Sequence, residues 1–145
     1  MSTKELQQGI IDNMRRWQKI ENVSVTQCSE IIAKTNNPII RMVMEVILAD
    51  SQRHYATQEL IATSLETGTI SVTPDELAEV WDLIQTHIEM EKKAEELARE
   101  SLEMLKGKKM VVQEYLLGYL MKDEAKHDFL LENLEAIKKG MYPYG

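Results

Sequence analysis

Glu124 and His127 stand three residues apart in a strongly helical run between Tyr119 and Leu131. A helix places positions i and i+3 on one face, roughly 5–6 Å apart at Cβ. A carboxylate and an imidazole at that spacing can close on one metal ion, and Glu-x-x-His on a helix is a recurring two-ligand unit. The same residues could also form a solvated polar pair. Their weight depends on what mirrors them elsewhere in the chain.

A mirror exists. Residues 48–55 read Leu-Ala-Asp-Ser-Gln-Arg-His-Tyr, and residues 121–128 read Met-Lys-Asp-Glu-Ala-Lys-His-Asp. Superimposed, Asp50 falls on Asp123, Ser51 on Glu124, Arg53 on Lys126 and His54 on His127. The chain reads as two related helical hairpins.

The breakers divide it accordingly. A first helix spans about residues 3–35 and ends at Asn36-Asn37-Pro38, with Pro38 suited to the first turn of the next. A second runs from Pro38 to about Leu65 and stops at Gly68. A third opens with Thr73 as N-cap, Pro74 at the first position and Glu76 closing a capping box. It continues to about Lys106, and Gly107 breaks it. A fourth spans about residues 108–139 and stops at Gly140, leaving an irregular tail. The link over residues 65–74 is long enough, at ~3.3 Å per extended residue, for one crossover along a bundle.

In an antiparallel hairpin, residues equidistant from the turn lie side by side. Reflecting Glu124 about the Gly107–Lys108 turn gives Glu91, and reflecting Ser51 about Asn36 gives Glu21. His87 shares a helix face with Glu91 at i, i+4 and reflects onto His127. All three histidines, His54, His87 and His127, therefore map to one level. Alternatives stay open for single residues. A one-turn register shift turns Gln18 inward in place of Glu21. His54 could be a neutral histidine bonded to Asp50 or Ser51, and His87 an ordinary polar residue. Glu89, Glu95 and Glu96 read as a wetted face. Trp17, Trp81, Tyr55, Tyr119 and the methionines read as core packing.

This pattern resembles the ferritin-like superfamily, closest to rubrerythrin-like di-iron carboxylate proteins, over nearly the whole chain. The resemblance implies an all-α fold, a ferritin-like four-helix bundle of two antiparallel hairpins joined by a crossover. It makes residues 1–140 a single domain and residues 141–145 a tail. It implies Glu21, His54, Glu91, Glu124 and His127 as metal ligands for one or two ions, Fe or else Mn. Asp50 and Asp123 would accept the outer N–H of a ligand histidine across the bundle, and His87 could donate an extra nitrogen. Ser51 departs from the pattern, which calls for a bridging glutamate there. The first half-site is therefore degenerate.

Two functions follow as expectations. One is peroxide or oxygen reduction, or ferrous iron oxidation, at the carboxylate–histidine site. The chain has no Cys-x-x-Cys pair, so an external electron donor would be needed. The other is a non-enzymatic bundle acting in metal sequestration or assembly. A homo-oligomer formed through surface helix stripes is a third alternative. A net charge of −7 argues against a nucleic-acid partner. The single cysteine, Cys28, excludes an internal disulfide and reads as a buried small residue. No apolar stretch approaches the ~20 residues of a membrane span, and the N-terminus has no secretory signal, so a cytoplasmic protein without membrane contact is expected.

Overall fold

A computed structural model of the chain describes residues 1–142. Among them every regular element is a helix: α1 (Thr3–Lys34), α2 (Pro38–Glu66), α3 (Pro74–Leu105), α4 (Val111–Glu132) and the short α5 (Leu134–Met141). They form two compact units, Met1–Ile70 and Ser71–Gly145. None of these helices is long and apolar enough to cross a membrane.

The first unit is the hairpin of α1 and α2. Ser2 caps α1 with a full capping box, its hydroxyl accepting from the Glu5 amide at 3.1 Å and the Glu5 carboxylate accepting from the Ser2 amide. Asn37 caps α2 by accepting from the amides of Ile39 and Ile40, and Pro38 follows in the first turn, where a missing N–H costs nothing. Arg41 ties the two helices at the turn. Its guanidinium donates to the carbonyls of Ile32 and Thr35 at 2.7 and 3.2 Å, satisfying acceptors left open at the end of α1. At the far end Arg15 pairs with Glu59 and Glu66.

The seam between α1 and α2 is small and polar. Ile11, Gln18, Glu21 and Cys28 are buried on α1, and Ser51, Gln58 and Ala62 on α2. Cys28 is buried as expected. Trp17 and Tyr55 correct the core reading, being 50% and 38% exposed, because each lies beside the seam rather than in it. Gln18 and Glu21 are both inside, so neither excludes the other.

The second unit holds α3, α4 and α5. Thr73 caps α3 by accepting from the Glu76 amide at 3.2 Å, with Pro74 next. The capping box is only half made, since the Glu76 carboxylate takes the Thr73 hydroxyl at 2.7 Å instead of the backbone N–H. Leu77 and Ala98 are the buried apolar residues of α3.

The fourth predicted helix needs three corrections. It starts at Val111, not near Lys108. Gly107 turns the chain with φ +77°, and the Lys108 amide is spent on the Leu105 carbonyl, closing α3. It breaks at Asn133, whose side-chain amide donates to the Phe129 carbonyl at 2.8 Å and competes with the backbone ladder. Gly140 does not stop it, and α5 runs through to Met141. The rest of the expected tail, residues 143–145, lies outside the described residues.

Candidate metal centre

Glu91 faces α4 from the middle of α3, its side chain only 12% exposed. Each of its carboxylate oxygens meets a different imidazole. Oε2 lies 3.2 Å from His127 Nδ1, and Oε1 lies 2.9 Å from His87 Nε2 one turn earlier on α3. His127 Nδ1 is also 3.9 Å from Glu124 Oε2, and its other nitrogen, Nε2, lies 3.4 Å from Asp123 Oδ2. Ligand atoms of Glu91, Glu124 and His127 all lie within 4.8 Å of one another.

The electrostatics of this cluster are strained in a way that a cation relieves. Glu91 and Glu124 bring carboxyl oxygens within 4.8 Å of each other, where a hydrogen bond between them needs one proton shared by two carboxyls. It holds Glu91 below the usual glutamate range, helped by His127 and His87. The same bond pushes Glu124 up, and burial and the Glu91 charge push it further. Glu124 Oε2 is shut off from solvent and finds no hydrogen-bond donor among the described residues. An acceptor left so costs the desolvation of the group without repayment.

His127 hydrogen-bonds Glu91 Oε2 through Nδ1, and Nε2 lies within ion-pair distance of Asp123. An ion at Nδ1 would need that nitrogen's lone pair, which an Nε2–H directed at Asp123 would leave free. Asp123 is itself held by Lys126 at 2.9 Å. Within α4, Asp123 meets His127 at i, i+4.

One turn on, a second carboxyl pair follows. Glu95 is pushed up, first by its hydrogen bond to Asp128 and then by burial, while Arg99 at 2.9 Å pulls the other way. Glu95 was expected on the wetted face with Glu89 and Glu96, which are exposed. Its i+4 spacing from Glu91, matched by Asp128 at i+4 from Glu124, is the signal that places it otherwise.

The first hairpin brings Glu21 and His54 together, with Glu21 Oε2 3.3 Å from His54 Nδ1. It does not reproduce the three-group cluster. Ser51 meets Ser24, hydroxyl to hydroxyl at 2.9 Å, one turn from the Glu21 level that reflection about Asn36 gave. The amide of Gln58 donates to Glu21 Oε2 at 3.5 Å. Two expected partners of His54 are absent. Asp50 makes no hydrogen bond or ion pair among the described residues, and Ser51 is taken by Ser24. The His54 side chain is 58% exposed, so it is not a core histidine.

The structure therefore unites Glu91, Glu124, His127, Asp123 and His87 in the second hairpin, and Glu21 with His54 in the first. No family model, curated protein or solved structure matches the chain.

Proposed function

We propose that the chain binds a divalent transition-metal ion through Glu91, Glu124 and His127. The observation that carries this is Glu124 Oε2, sealed from water and without a donor, beside a second carboxylate and an imidazole nitrogen. A cation there replaces the proton shared by the two glutamates and satisfies the orphaned oxygen. Two carboxylates and one imidazole suit Fe(II) or Mn(II), in keeping with the ferritin-like resemblance of the duplicated hairpins. Such an ion supplies Lewis acidity or a one-electron couple. The chain supplies the ligands, the Asp123 bond that orients His127, and the His87 bond that holds the outer oxygen of Glu91. Ferrous iron oxidation or reduction of an oxygen species, with electrons from an external donor, is the enzymatic form of this proposal.

Anaerobic titration with Co(II) tests it. Binding should add visible d–d bands that Glu124→Gln and His127→Asn remove while helicity is kept. A folded wild-type chain that acquires no bands rejects it.

A second form of the proposal, a helical protein that holds a metal without turning over substrate, is supported by the hydroxyl pair of Ser24 and Ser51 in place of a second carboxylate.

A further inference from the structure

The duplicated hairpins differ at three facing positions, and the differences act together. The superposition that sets Asp50 on Asp123 also sets Gln58 on Leu131, and that of Glu21 on Glu91 sets Ser24 on Ala94. The second hairpin thus has Ala94, Glu124 and Leu131 where the first has Ser24, Ser51 and Gln58.

In the first hairpin these positions bond to one another or to Glu21, although Gln58 Oε1 is buried without a partner among the described residues. The Ser24 and Ser51 hydroxyls are 2.9 Å apart. Gln58, only 3% exposed, aims an N–H donor at Glu21 Oε2, the same oxygen that faces His54. An amide hydrogen pointed at a carboxylate lone pair occupies the place a cation would take, and it carries the same sign of charge. Glu21 and His54 then remain as the only strong ligands, too few to offset the dehydration of a divalent ion. In the second hairpin, Leu131 supplies no donor and Ala94 no hydroxyl, and Glu124 adds the missing charge. The result is a buried carboxylate oxygen without a donor among the described residues, where the first hairpin leaves only the uncharged amide oxygen Gln58 Oε1 in that state.

The geometry points to a one-ion protein: a single metal per chain, held by the second hairpin, with the equivalent positions of the first hairpin taken by the Ser24–Ser51 hydroxyl bond and the Gln58 amide donor. This rests on the metal-binding reading of Glu91, Glu124 and His127, and it parts from the two-metal centre that the ferritin-like resemblance implies. A single ion passing between its divalent and trivalent states supplies one electron, so any two-electron reduction of dioxygen or peroxide would draw its second electron from the external donor.

Anaerobic Mn(II) loading of the full chain, read by metal analysis and electron paramagnetic resonance, tests this. One Mn(II) per chain with an uncoupled six-line spectrum is expected. Glu21→Gln and His54→Asn should leave the count at one and the affinity within about twofold, whereas Glu124→Gln should weaken binding by about tenfold or more. Two ions per chain, an exchange-coupled spectrum, or loss of the ion with Glu21→Gln overturns the one-ion inference and leaves the metal-binding reading standing. No Mn(II) bound by the folded wild-type chain overturns both. Circular dichroism of each variant confirms that the helices remain.

Discussion

His127 Nε2 lies 3.4 Å from Asp123 Oδ2, one turn back on the same helix, while Nδ1 of the same ring faces Glu91. Carboxylates thus flank both ring nitrogens. Asp123→Asn removes the charge that favours Nε2–H and lets the tautomer relax. Metal affinity should fall by about 10–100-fold, without loss of helicity. Isothermal calorimetry with Mn(II) measures the change, and affinity equal to wild type would show that Asp123 does not orient the ligand.

Much of this arrangement is legible in the sequence. Asn37-Pro38 and Thr73-Pro74 carry their helix starts in residue type alone, because capping is local chemistry. Reflection about a short turn sets Glu91 level with Glu124 and Glu21 level with Ser51, each within a turn of the histidine, His127 or His54, that the glutamate meets. What it misses depends on distances finer than that turn. Ser51 meets Ser24 instead of Glu21 because the interhelical register slides by about three residues, which no letter in the sequence encodes. Gln58 as a donor to Glu21, and Glu95 as a partner of Asp128, are likewise set by which side of each helix reaches the seam. The break at Asn133 comes from one side-chain bond to a carbonyl, in a stretch whose apolar pattern continues unbroken.

The shared proton makes metal binding pH-dependent. Glu124 is raised chiefly by its hydrogen bond to Glu91, so the ion must displace a proton from this pair at pH values near and above the usual glutamate range of about 4.3. Affinity should rise with pH through that region and level off once the pair is ionised. In the metal-free chain the sign is reversed for Glu124. Its raised value contributes stability below the unfolded pKa that is lost as pH rises through the folded one. The lowered value of Glu91 contributes stability above the unfolded pKa that is lost as pH falls. Glu124→Gln should therefore leave metal-free stability at neutral pH unchanged or raised by about 1 kcal/mol or less, because the pair is partly screened by solvent. Urea melts across the acid range measure it, and a large loss of stability at neutral pH would contradict the shared-proton account.

Arg41 offers a control unconnected to the metal. Its two bonds to the carbonyls of Ile32 and Thr35 close the end of α1. Arg41→Ala should cost about 1.5–3 kcal/mol, the range for hydrogen bonds from a charged donor. Chemical denaturation followed by circular dichroism reads this loss. Metal affinity should stay at the wild-type value, and a parallel loss of affinity would mean that the ion depends on the first hairpin.

Copying the second hairpin into the first should create a new site. The triple change Ser24→Ala, Ser51→Glu and Gln58→Leu removes the hydroxyl pair and the amide donor and supplies a carboxylate beside Glu21 and His54. Mn(II) capacity should rise from one to two ions per chain. A folded triple variant that still binds one ion would show that these three positions are not what closes the first hairpin to metal.

The most direct measurement is anomalous diffraction from crystals of the full chain soaked in Mn(II). An ion is expected within about 2.0–2.3 Å of a carboxylate oxygen of Glu91, a carboxylate oxygen of Glu124 and Nδ1 of His127. Anomalous density elsewhere, or none, would contradict the account.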